Sequence, residues 1–242
     1  MEALGLATTS YDFLHKYLDD PQYSKPSTSN TSSPLEILQR VHSDKRLDNL
    51  FDHRGASNIE PLFKDHEALV LEHWNAWQLS NPKKQFEDSQ YAAAALLVAT
   101  HKPGSSYDFF VVHLLTTSHA VRILLPLIPA KFHVALVRQW WLLTLAVYIA
   151  QTRPKIKLDT ITGYDTKGRD WKWVEKQAVE GKWALDAHYV KGLRAMKEAA
   201  QTWGDKEEYY IKAAVRFGDE FSGWGGFGPL DTEGVVHGAG GQ

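Results

Sequence analysis

Two long apolar runs, residues 107–125 and 131–152, are separated by a five-residue break that holds Pro126 and Pro129, and they constrain this chain more than any other feature. Neither run alternates apolar and polar residues as a half-buried strand would, so both read as helices. They are the most hydrophobic part of the chain and predict a helical pair at the centre of the fold. The most apolar segment, Trp140 to Ala150, is bounded by Arg138 and Arg153. It falls short of the roughly 20 residues that cross a bilayer, so it reads as a buried helix with no membrane contact.

The flanking sequence continues the helical reading. Leu4, Ala7, Tyr11, Leu14 and Leu18 form a helical stripe over residues 1–18. The segment PQYSKPSTSNTSSP (21–34) holds three prolines and a Ser/Thr cluster, and predicts a long surface loop. Ser33-Pro34 looks like a cap followed by a first-turn proline, which opens a helix to residue 50. Further helices are expected over 61–77 and 86–100, the second through the alanine run Ala92 to Ala95. Residues 155–181, with Gly163, Gly168 and Gly181, predict an irregular connection carrying Trp171 and Trp173. Asp186 is placed to cap a helix reaching Trp203, and Asp205 one reaching Phe217. The end, GVVHGAGGQ, is glycine-rich and expected to fray. The fold class is therefore all-α: one domain over residues 1–242, a multi-helix bundle with a long Ser/Pro-rich loop and a glycine-rich C-terminus.

Composition narrows the function classes. Of 242 residues, 43% are hydrophobic and 23% charged, which is ordinary for a globular protein. A net charge of -2 gives no electrostatic reason to bind nucleic acid. The nine tryptophans suit a wide apolar core or a pocket for a flat ligand. Cysteine is absent, which excludes disulfides, zinc-thiolate sites and a cysteine nucleophile. MEALGLATTSYDFL lacks the basic start and apolar core of a secretory signal, and the expectation is a soluble, cytoplasmic protein.

Three stretches carry candidate chemistry. GWGGFG (223–228) matches a G-x-G-x-x-G pattern, but no strand precedes it and Pro229 follows, so it is no dinucleotide fingerprint. Its expected use is a tight turn whose Trp224 and Phe227 pack back on the body. In DFFVVHLLTTSH (108–119), Thr116, Thr117 and Ala120 share the helical face of His113. His119 points about 120° away at 100° per residue, so one regular helix cannot easily bring both histidines to one metal. Either histidine can instead be a core residue hydrogen-bonded to a neighbour. In DAHYVKG (186–192), His188 and Lys191 stand at i and i+3 and converge on one face. A neutral lysine amine can add CO2 and become a carbamate, an anionic oxygen ligand. The bland alternative is a solvated lysine beside a surface histidine.

YDFFVVHLLTTSHAVRILLPLIP (107–129) and LVRQWWLLTLAVYIAQTRPKI (136–156) strongly resemble the questin oxidase-like family. So do SYDFLHKYLDDP (10–21), FEDSQYAAAALLVATHKPG (86–104), DAHYVKGLRAMKEA (186–199) and GWGGFGP. The resemblance implies an enzyme that uses O2 to open a ring of an aromatic polyketide such as an anthraquinone. Some such proteins act as NADPH-dependent Baeyer–Villiger oxidases, and at least one kind holds non-haem Fe(II) through histidines and a carboxylated lysine. Carried over, the resemblance makes His113, His188 and carboxylated Lys191 metal ligands and His119 a catalytic, substrate-facing candidate. Phe109, Trp141 and Tyr189 become substrate-facing aromatics, with Phe110, Trp140 and Trp183 near them. Family members are longer and carry a histidine-rich helix in their N-terminal part. The expectation is that this chain corresponds to their C-terminal half, with the other half in the same or a separate chain; the alternative of another class is a non-catalytic helical half that must pair with another chain.

Overall fold

The computed structural model describes residues 13–25 and 27–230. Among them ten α-helices follow one another: α1 (Lys16–Asp19), α2 (Pro34–Ser43), α3 (Ile59–Asn75), α4 (Pro82–Val98), α5 (Phe109–Leu124), α6 (His133–Ala150), α7 (Asp159–Thr162), α8 (Trp171–Glu180), α9 (Ala187–Trp203) and α10 (Tyr209–Glu220). The fold is all-α, apart from a parallel pair of two-residue strands, β1 (Tyr107–Asp108) and β2 (Trp224–Gly225). Most of the expected 1–18 stripe and all of GVVHGAGGQ lie outside the described residues.

The bundle is organised around α4, which packs against α2, α5, α6, α9 and α10. Every residue from Ala92 to Ala99 is buried. Alanine is the reason: four consecutive small side chains let neighbouring helices approach from every side. The apolar pair α5–α6 flanks this axis rather than forming it alone. Trp140, Trp141, Leu145 and Ile149 of α6 are buried, whereas Ile123, Leu124, Leu127, Phe132 and Val134 at the α5–α6 turn are exposed. Counted from its opening 3-10 turn, residues 130–150 are long and apolar enough to cross a membrane, but most of that length is buried inside the bundle.

Capping residues set the helix starts. The Ser33 hydroxyl accepts the Glu36 amide, Asn81 accepts Lys84, and Asp170 accepts Trp173. α2 stops at Ser43, short of residue 50. There Arg153, reaching back from after α6, donates to the carbonyls of Val41, His42, Asp44 and Leu47 and so closes the helix end. Residues 155–181 hold two helices rather than an irregular connection: the single turn α7, and α8, which starts at Trp171 directly after its Asp170 cap and ends at Glu180 before Gly181. Asp205 caps α10 as expected, with the Tyr210 and Ile211 amides at 2.7 and 3.1 Å, and the helix runs three residues beyond Phe217.

Candidate active site

α5 and α9 pack side by side, and their N-terminal ends bring two histidines together. Both helices begin at an aspartate. Asp108 Oδ1 accepts the Phe110 and Val111 amides at 2.9 and 3.0 Å. Asp186 Oδ1 accepts the His188 and Tyr189 amides, both at 2.9 Å. The caps fix where each helix starts, and so where its early side chains emerge.

His113 and His188 face each other with ring centroids 4.8 Å apart at 54°. Phe109 fills the angle between them, 4.8 Å from one ring and 4.7 Å from the other. His113 Nδ1 lies 2.7 Å from the Phe109 carbonyl oxygen. A carbonyl only accepts, so Nδ1 donates there, and in the neutral tautomer this selects, the free lone pair is on Nε2. This back-bonding to a carbonyl is the arrangement that holds metal-ligating imidazoles in one orientation. Both histidines are half-buried. The His188 imidazole is held below its ordinary pKa, first by burial and then by the charge of His113; Asp186 opposes this and Lys191 adds to it. An imidazole that stays neutral at physiological pH is free to donate its lone pair.

Lys191 follows one turn after His188 and is exposed to solvent. Phe110 and Phe227 extend the aromatic wall, with Phe227 5.2 Å from Phe109 and 5.8 Å from Phe110. Trp224 stands 5.9 Å from Phe109 and 6.3 Å from His188. The wall and the imidazole pair open onto a face of α5 where Thr117, Ala120, Ile123 and Leu124 are exposed.

The other expected residues lie elsewhere. His119 is half-buried against α9, accepting from Arg122 Nη2 at 3.2 Å, and Arg122 reaches Glu198 at 3.5 Å. Burial, then the Arg122 charge, lowers its pKa. Trp141 is fully buried, 5.3 Å from Trp77, on the core side of α6. Tyr189 is 1% exposed and packs on Phe217 and Phe221, and burial pushes its hydroxyl up to about 12. Trp140 donates to the Leu114 carbonyl, and Trp183 packs on Phe221. The structure thus gathers His113, His188, Phe109 and Phe110 at one place, with Lys191 a turn away.

Trp224 and Asp186 stand beside the site although neither is among the expected site residues. Their sequence signals are a glycine-rich turn that returns Trp224 to the body, an aspartate at a helix start, and membership of two of the segments that carry the family resemblance. Among the described residues no group of three or more His, Cys, Asp or Glu side chains converges to hold a metal. The potential metal donors that the fold brings face to face here are two imidazoles, with Lys191 one turn further along α9.

The chain belongs to the questin oxidase-like family: the family model described as "Questin oxidase-like" matches residues 1–196. The match covers α1 to α8 and most of α9, including both histidines and Lys191. The family is one of oxidoreductases, with polyketides as its substrate class. No curated protein matches the chain.

Proposed function

We propose that this chain catalyses the oxidative ring opening of an aromatic polyketide such as an anthraquinone, at an iron ion held in part by His113 and His188. The facing imidazole pair carries the proposal: two rings 4.8 Å apart, with the Phe109 carbonyl orienting one of them. Imidazole nitrogen suits ferrous iron, and a carboxylated Lys191 adds an anionic oxygen donor from the same helical face as His188. The iron supplies the electron chemistry that makes O2 reactive. The remaining donors come from groups outside this set.

The chain's own part is binding and orientation. Phe109, Phe110 and Phe227 present ring faces and edges beside the histidines, a surface against which a planar polycyclic substrate stacks. Such a substrate covers the half-open imidazoles and excludes water from them. His119 has its Nδ1 engaged by Arg122, and its part in the reaction is to hold α5 against α9 beneath the site.

Metal analysis with turnover tests the reading. Protein loaded with Fe(II) under air is expected to consume O2 and an anthraquinone together, and Lys191→Ala to lower both iron content and turnover. A labelled carbamate carbon signal after incubation with 13C-bicarbonate, absent in Lys191→Ala, would identify the carboxylated lysine. Substrate-dependent NADPH consumption by metal-stripped protein would replace this proposal with a metal-free Baeyer–Villiger oxidation.

One observation favours a second component. On the face of α5 that carries His113, Thr117 and Ala120 are exposed, and at and just beyond the helix end stand exposed Ile123, Leu124 and Leu127, the last 74% exposed. Contiguous apolar surface of this kind marks an interface. A polypeptide seated there would bring further ligands to the imidazole pair. Light scattering of the protein alone and with candidate partners measures this; a monomer that binds iron fully by itself would remove the need for a partner.

A further inference from the structure

The segment that closes the site from behind is the turn at residues 223–228, beyond the stretch matched by the family. It re-enters the bundle as β2, pairing in parallel with β1 so that Trp224 stands opposite Tyr107 and Gly225 opposite Asp108. From there it touches both aspartates that start the histidine-bearing helices. The Trp224 indole N–H donates to Asp186 Oδ2 at 2.8 Å, with both residues buried. Asp186 is thereby divided: one oxygen holds the His188 and Tyr189 amides, and the other holds the indole. On the other helix, Gly226 sits so close to Asp108 that a Cβ would meet its Oδ2 at 2.8 Å. Its φ of +93° is a second reason that only glycine suits this position. Gln151 Nε2 donates to the Gly226 carbonyl at 3.1 Å and fixes the turn to the end of α6.

We infer that Trp224 is a positioning residue: through Asp186 it sets the first turn of α9, and with Gly226 against Asp108 it fixes the separation of His188 from His113. The inference rests on the proposed function for its consequence, since the separation of two ligands decides how well one ion bridges them. Its geometry stands without any metal. The two N-terminal turns have no covalent link and lie in different parts of the chain. A small shift of one cap moves one imidazole past the other, and a buried hydrogen bond to a carboxylate resists that shift.

Trp224→Phe keeps an aromatic ring and deletes the N–H. Trp203→Phe is the matched control, because it deletes an indole N–H from the far end of the same helix, where Trp203 donates to Gln90 at 2.7 Å. In metal-free protein the nuclear Overhauser contact between the His113 and His188 ring protons is expected to weaken in Trp224→Phe and to persist in Trp203→Phe. Affinity for Co(II), the spectroscopic probe, is expected to fall about 10- to 100-fold in Trp224→Phe alone, as when an outer-shell partner is lost. If Trp224→Phe does not fold, Asp186→Asn serves: its amide nitrogen would face the indole N–H donor to donor, and the same two losses are expected. A wild-type ring contact in the folded variant, or equal losses in Trp203→Phe, would overturn the inference. Wild-type protein that binds no Co(II) would sink the metal reading, while the ring contact would still decide the positioning role.

Discussion

Two pairs of rings at opposite ends of a short stretch of chain meet different fates. His101 stacks on Tyr107 with centroids 3.7 Å apart and planes within 8°, while His113, at the second turn of the helix that follows, faces His188 at 54°. The His101 side chain is 1% exposed and neither ring nitrogen makes a hydrogen bond. Glu220 Oε2 lies 3.5 Å from its Nε2, but that carboxylate is engaged by the Arg216 Nε at 3.1 Å. Burial prevails, and with the Arg216 charge it brings the His101 pKa down to about 4. His101 therefore works as a flat apolar plate in the core. The second pair is half-open and has one ring oriented through a carbonyl, with its Nε2 not taken up by that contact. A histidine becomes a candidate ligand through access and an oriented free nitrogen, whereas the same residue shut in the core contributes packing.

The comparison breaks most visibly on substitution. His113→Ala is expected to lower Fe(II) affinity more than about 100-fold, beyond the usual cost of an outer-shell partner. Its melting temperature should move little, because the side chain is half-exposed. His101→Ala is expected to do the reverse, keeping the affinity and costing about 3 kcal/mol by chemical denaturation, as large-to-small core changes do.

Acid separates the pairs next. The unfolded chain protonates His101 near its ordinary 6.5, and the folded chain only near 4. Between those values the unfolded state binds the extra proton. The stability due to neutral His101 is thus complete above pH 6.5, falls as pH drops toward 4, and is constant below that. The loss is about 3 kcal/mol, at about 1.4 kcal/mol per unit. A His101→Gln variant should show a flatter stability profile in that window by urea titration at each pH.

The smaller effects concern what holds each region. Asp108→Ala is expected to cost about 1 kcal/mol, typical of a lost N-cap, and to weaken Fe(II) binding along with it. Trp141→Phe loses no hydrogen bond, because its buried Nε1 has no partner, and should cost about 1 kcal/mol for the space the smaller ring leaves. Calorimetry of the pair ranks them.

Part of the half-open pair was legible in local sequence, whereas nothing there singled out His101. Helical periodicity assigned His113 and His119 to different faces of one helix, and Asp186 announced the helix that presents His188. What periodicity cannot supply is the neighbour across the gap. Nothing near residue 113 says that residue 188 will stand opposite it, or that Trp224 will close behind both. The resemblance also implied Trp141 and Tyr189 at the substrate, and both side chains are buried in the core, since aromatic type does not tell which side of a helix meets it. The α8 helix was hidden because Gly168 and Gly181, which bound it, read as signs of irregular structure. The centre of the bundle went to the most hydrophobic helices, but smallness, in Ala92 to Ala95, placed α4 there instead.

Anaerobic Fe(II) titration of the whole chain tests the central claim most directly. The account predicts one tightly bound equivalent in the wild-type protein and in His101→Gln, and its loss in His113→Ala. Wild-type protein that binds no iron, or a His113→Ala variant that binds it unchanged, would contradict the assignment of the imidazole pair.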